Sequence, residues 1–211
     1  MSNKIRLLPT NAPALPIAPL QYDKDYANQN NNVLRLYFSG IDNVTKGLLG
    51  YGGGIYLQYP HASLSNTTTQ TIAAINTPYG VPFTSVNTAH QISVGTPSSR
   101  IIVEQNGVYN FQFSLQLAKT SGGAVNVWIW ARINGVDQAN SNSKISITGS
   151  STSETIAAWN FVFPMNANDY FELMWASDST SAIIEAVSAN SFSPAIPPAI
   201  LTVTFVSALY S

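Results

Sequence analysis

Two imidazoles, His61 and His90, and ten carboxylates are the titratable groups from which this 211-residue chain could build a catalytic or metal site, and it has no cysteine. Without thiols there are no cysteine nucleophiles, thiolate metal centres or disulfide staples. General-base or nucleophilic catalysis needs a base held against an acid or hydroxyl partner. Neither histidine has such partners at a recognisable spacing. His61 follows Pro60 and reads as loop, while His90 opens a strand-like run, His90-Gln91-Ile92-Ser93-Val94, so both read as structural. No HExxH, no GxSxG and no glycine-rich cradle ahead of a helix occurs. Glu104, Glu154, Asp169, Glu172, Asp178 and Glu185 remain as raw material for paired-carboxylate glycan hydrolysis, where the pairing is spatial rather than sequential. Asp169, Glu172, Asp178 and Glu185 lack EF-hand spacing, so a solvated acidic face is expected, with a bound cation on it as the alternative. The expectation is a non-enzymatic protein with no catalytic, cofactor or metal residue, and glycan hydrolysis is the weakest alternative.

Charge is scarce throughout. Charged residues make up 9% of the chain, against about 25% in ordinary soluble domains. The side chains that meet water are chiefly Asn, Ser, Thr and Gln. A net charge of -1 argues against nucleic-acid binding, which needs a cationic surface. No apolar run reaches the roughly 18 residues of a membrane span, so no membrane insertion is expected. Pro9, Pro13, Pro16 and Pro19 interrupt the N-terminal apolar stretch, which speaks against a secretory signal.

Three zones must position whatever the chain does. Residues 1–21 form a proline-punctuated, extended arm, in which Leu8, Leu15 and Ile17 are candidates for anchoring on a partner. Residues 22–50 read as a helix. Leu34, Phe38, Ile41 and Leu48 lie at spacings of four, three and seven, Asp23 and Asp25 stand near its start and Lys46 near its end. Such a stripe packs on its own domain or on copies of itself, so 22–50 is a candidate trimerisation segment. Gly50 and Gly52-Gly53-Gly54 end it and read as a hinge. From 51 to 211 the period falls to two. Tyr109, Phe111, Phe113, Leu115 and Leu117 alternate with polar residues, as do Val125, Val127, Ile129 and Ala131, then Phe171, Leu173 and Trp175, and finally Leu201, Val203 and Phe205. Turn signals at Asn106-Gly107, Asn134-Gly135 and Asn166-Ala167-Asn168-Asp169 separate the runs. The pattern predicts an all-β antiparallel sandwich or jelly roll.

Several strands are apolar on both faces. Trp128 and Trp130 lie opposite Val127 and Ile129. Tyr170 and Met174 lie opposite Phe171 and Leu173. Val162, Ile200 and Val206 also face away from the core pattern. Contiguous patches of this kind mark interfaces, so Trp128, Trp130, Tyr170 and Met174 are candidates for an oligomer interface.

Gly107-Val108-Tyr109-Asn110-Phe111-Gln112-Phe113 resembles the G-x-Y-x-F strand of C1q and tumour-necrosis-factor-like jelly rolls. Trp128 to Gly135 resembles the strand and Asn-Gly turn that follow it. Ala167 to Leu173 resembles the later turn and strand, with Asn168-Asp169 where that family usually has Gly-Asp. The ending Pro194 to Val203, and the opening from Leu15 through Asp42-Asn43, are similar to C1q-like domains of bacteriophage and marine-virus structural proteins. The resemblance implies a homotrimer in which Tyr109, Phe111 and Phe113 serve the core or the threefold axis. It also implies a virion setting, as capsid decoration or as a head or tail fibre. Residues 1–50 would then hold other virion proteins, and a host surface glycan becomes a possible ligand. Tyr79 and Phe83, in Pro78-Tyr79-Gly80-Val81-Pro82-Phe83, are aromatic candidates for that glycan, although packing is the stronger expectation for both. A carbohydrate-binding module is the leading alternative.

Overall fold

A computed structural model describes residues 12–17, 19–49, 59–149 and 152–209. The chain divides into two units, 1–58 and 59–211. In the first unit, α1 (Lys24–Leu49) is a 26-residue helix. Asp23 caps it, its Oδ1 accepting from the amides of Asp25 at 2.8 Å and Tyr26 at 3.3 Å, two donors that a helix start leaves without partners. Tyr26 Oη donates to the carbonyl of Pro16 at 3.2 Å, which ties the arm to the first helical turns.

Among its described residues the second unit holds fourteen strands, named in chain order: β1 (His61–Asn66), β2 (Gln70–Thr71), β3 (Tyr79–Gly80), β4 (Ser85–His90), β5 (Ile92–Val94), β6 (Ile101–Val103), β7 (Gly107–Lys119), β8 (Val125–Ile133), β9 (Val136–Asp137), β10 (Ser143–Ile147), β11 (Glu154–Met165), β12 (Tyr170–Ser177), β13 (Ala182–Ile184) and β14 (Ala199–Ser207). They form two seven-stranded sheets, and every strand pair is antiparallel. In the first sheet the order runs β2-β13-β7-β14-β1-β4, with β11 paired to β7. In the second it runs β10-β8-β12-β6-β5, with β3 on β12 and β9 on β8. From β6 onward the chain crosses repeatedly between sheets, β7 to the first, β8 to the second, β11 back to the first and β12 to the second. That alternation is the jelly-roll path expected from the strand pattern.

The core lies between the sheets and contains the residues whose period-two spacing marked it. Tyr109, Phe111, Leu115, Val127, Ile129, Phe171, Leu173, Leu201 and Val203 are fully buried. Each fully buried Phe or Leu contributes about 1.5–3 kcal/mol. Phe111 stacks on Phe171 across the two sheets at 4.1 Å between ring centroids. Phe113 meets Trp159 edge-on at 4.7 Å.

The turn residues act where the backbone needs them. Asn134 and Gly135 take φ of 49° and 80°, the left-handed pair that closes a tight hairpin, here between β8 and β9. Asn168 takes φ 72°, so asparagine fills the left-handed position that a glycine could otherwise occupy. Two local readings change. His61 is the first residue of β1 rather than loop, and His90 ends β4 rather than opening a strand, because Gln91 at φ 54° breaks the extended run before β5.

Candidate functional site

The outward faces of the two sheets differ in chemistry. On the first sheet, the alternate residues turned away from the core are Val108, Asn110, Gln112, Ser114 and Gln116 of β7. Beside them stand Ile156, Ala158, Asn160, Val162 and Pro164 of β11, then Ile200, Thr202, Thr204 and Val206 of β14, and His61, Ser63 and Ser65 of β1. In register they form rows such as Asn160–Gln112–Thr202–Ser63 and Val162–Asn110–Thr204–His61. Among the described residues, the Asp, Glu, Lys or Arg side chains aligned with this face are at its margin: Glu154 at the far end of β11, and Glu185, whose amide donates to the Gln116 carbonyl at 2.8 Å just beyond β13. Val162, Ile156 and Val206 are 52%, 63% and 57% exposed. Asn160 Nδ2 donates to Asn110 Oδ1 at 2.8 Å, linking the two strands by amides. Lys119, the one Lys or Arg in the strands of this sheet, is 2% exposed. Its ammonium donates to the carbonyls of Gly122, Gly123 and Gly149 at 3.3, 2.6 and 3.1 Å, so it closes loops instead of charging the surface. Beyond this face, β11 pairs with β7 alone, which leaves its outer edge with unpaired backbone groups. A long edge strand without charge along its middle is a pairing surface that proteins normally blunt.

The second sheet's outer face carries ions and closes on itself. Glu172 is 8% exposed and lies opposite Arg132. Ser99 Oγ donates to Glu172 Oε1 at 2.6 Å, Arg100 Nε lies 4.0 Å from the same oxygen, and the Arg100 guanidinium sits 4.5 Å over the ring of Tyr170. Asp137 Oδ1 accepts from Arg132 Nε at 2.6 Å and from Trp130 Nε1 at 2.8 Å. The hydrogen bond from Arg132 holds the Asp137 carboxyl below its ordinary 3.8, and the same bond raises the Arg132 guanidinium. Gly80 is needed here, since a Cβ would meet Ser99 Cβ at 2.8 Å.

The candidate residues divide between these environments. Tyr109, Phe111 and Phe113 lie in the core of a single chain. Burial raises the Tyr109 phenol, whose Oη donates to the Gln105 carbonyl at 2.8 Å. Trp130 and Met174 are 8% and 3% exposed and form a small second cluster with Ala176, against which Trp128 packs. They are therefore covered within one chain, and Tyr170 is half-buried beneath Arg100. On α1, Leu34 and Ile41 are half-buried and Phe38 is 61% exposed, while the side chain of Leu48 lies outside the described residues. Leu15 and Ile17 are exposed, and Leu8 lies outside the described residues, as does the glycine run 50–54. Phe83 is fully buried, and Tyr79 spends its hydroxyl accepting from the amides of Ala73 and Ala74, so neither presents a free ring to a sugar.

Of the six carboxylates singled out for glycan chemistry, Glu154 and Glu172 lie in β11 and β12, and Asp169 and Asp178 are tied into turns. Asp169 accepts from Asn134 and Asn166, and Asp178 from the amide and side chain of Asn126. Among the described residues no group of three or more His, Asp or Glu is placed to hold a metal ion, and no helix is long and apolar enough to cross a membrane. Sequence reading missed the pairing of Ser99 with Glu172, the Lys119 clip and the charge-free character of the first face. Only the last had a signal, the polar but uncharged partners of the Tyr109–Leu117 alternation.

The fold and this surface define an antiparallel jelly roll with one polar, uncharged sheet face. Among solved structures it is similar to the globular domain of zebrafish complement 1qA protein, at 12% sequence identity and a TM-score of 0.44, over 71% of this chain and 99% of that one. No protein-family model and no curated protein matches the chain. The jelly-roll assignment rests on the strand order.

Proposed function

We propose that the chain is a non-enzymatic structural protein of a virion surface, a homotrimer whose residues 1–50 fasten it to the particle and whose jelly roll faces outward. The observation that carries the self-association is the first sheet's outer face, a wide surface of amides, hydroxyls and exposed Ile156, Val162 and Val206 whose acids, Glu154 and Glu185, lie at its margin. Depletion of charge is the compositional mark of interface centres, and a closed ring of copies is the usual use of such a surface. The threefold count and the virion setting rest on the resemblance of Gly107–Phe113, Pro194–Val203 and the Leu15–Asn43 opening to C1q-like viral structural proteins. Decoration protein and fibre remain the two forms of this reading.

Light scattering on the full chain and on a chain lacking residues 1–50 tests the assembly. A trimer in both assigns association to the β unit, a trimer of the full chain alone assigns it to α1, and monomers in both refute it. Capture of virion shell proteins by the full chain, lost when residues 1–21 are removed, supports the anchoring role, and equal capture by both refutes it. A host-glycan reading is favoured by Phe192, which is 88% exposed on a turn whose Asn190 Oδ1 accepts from the amides of Phe192 and Ser193. Phe192→Ala should abolish glycan-array binding if that reading holds.

A further inference from the structure

The chain's two histidines, distant in sequence, fall directly opposite one another in the β1–β4 ladder, His61 against His90. Their ring centroids are 6.0 Å apart with planes inclined by 35°. Residues directly opposite across an antiparallel pair have Cβ atoms about 5 Å apart, so the rings can converge outward over one point. His61 is further oriented. Its Nδ1 lies 2.8 Å from the carbonyl oxygen of Tyr59. A carbonyl only accepts, so Nδ1 carries the proton and Nε2 keeps its lone pair. Fixing one ring nitrogen on a backbone carbonyl while the other points to an ion is how metal-binding histidines are usually held.

We propose that His61 and His90 form a two-imidazole site for a borderline divalent cation of the Ni²⁺, Zn²⁺ or Cu²⁺ type, with water completing the coordination. Imidazole nitrogens select these ions over Mg²⁺ and Ca²⁺, which take oxygen ligands. With metal–nitrogen bonds near 2.0 Å and a tetrahedral angle, two coordinated rings have centroids about 5 Å apart, so closing from 6.0 Å takes a side-chain rotation of roughly 1 Å. Charge does not oppose binding, because neither β1, β4 nor β14 contains Lys or Arg. His61 is exposed and His90 half-buried, which leaves the ion a route in. The bound ion would pin the edge strand β4 to β1 beside the irregularity between Ser63 and Leu64. The site is complete within one chain, and His61 lies on the outer face proposed above to join copies.

Calorimetric titration of the untagged full chain with Ni²⁺ alone tests it. One ion per chain is expected, with a rise in Tm. His61→Gln and His90→Gln should each weaken binding at least about tenfold, a loss that even an outer-shell change can cause, and the double variant should lose both binding and the Tm rise. Unchanged Tm values of the ion-free variants will show that the fold is intact. Ca²⁺ in place of Ni²⁺ should give no heat. No saturable Ni²⁺ binding to the parent chain, or binding retained by the double variant, overturns the site.

Discussion

The two outer faces of this sandwich treat their apolar groups and their ions in opposite ways. The second sheet covers Trp130 and Met174 within the chain and holds its ions in pairs, Arg132 with Asp137 and Glu172 between Ser99 and Arg100. The first sheet leaves Ile156, Val162 and Val206 uncovered and turns its one strand-borne cation, Lys119, onto loop carbonyls. A face that satisfies itself needs no partner. A face stripped of charge while keeping apolar side chains in water is suited to one. The scarcity of ions in this chain is thus concentrated on one surface.

Changes on the two faces should have opposite signatures. The largest effect is expected from Gln112→Arg with Asn160→Lys, neighbours in one row of the first face. Copies brought together there would juxtapose like charges at a cost of several kcal/mol, so the assembly should dissociate while the monomer keeps its strand signal in circular dichroism. Lys119→Met comes next. Three loop carbonyls would lose their donor at 2% exposure, for about 1–3 kcal/mol and a fall of about 5 °C in Tm, with subunit count unchanged. Glu172→Gln is milder, about 0.5–1.5 kcal/mol, because an amide can still accept from Ser99, and chemical denaturation should register it without any change in assembly.

Acidification through the Asp137 carboxyl should give the smallest effect. Asp137 titrates below its ordinary 3.8 in the folded chain, so its contribution to stability is present above that value and lost as pH falls through the lowered one. Asp137 is half exposed, so the effect is small. The fluorescence of Trp130, whose indole donates to Asp137, should shift in that window.

Much of the fold was legible because the strands keep strict alternation. Tyr109 to Leu117, Val125 to Ala131 and Leu201 to Phe205 predicted which side chains meet in the core, and Asn134-Gly135 predicted its turn. The outer faces were harder to read. Trp130 and Met174 read as candidates for an oligomer interface because period two reports which face a residue takes and not what covers that face within the chain. The opposition of His61 and His90, and of Glu172 and Arg132, depends on register between distant strands, which no local pattern encodes. Asn66 shows the same limit: Asn66-Thr67-Thr68 has the spacing of an N-glycosylation acceptor, yet the Asn66 side chain is 2% exposed and bonded to the Pro82 carbonyl.

The claim that the first sheet's uncharged face joins copies of the chain is tested most directly by the solution mass of three proteins. These are the parent chain, the Gln112→Arg/Asn160→Lys variant, and Lys144→Glu on the second face as control. The account predicts three times the 22.7 kDa chain mass for the parent and the control, and a single chain mass for the double variant. A parent that runs at one chain mass, or a double variant that stays at the parent's mass, would contradict it.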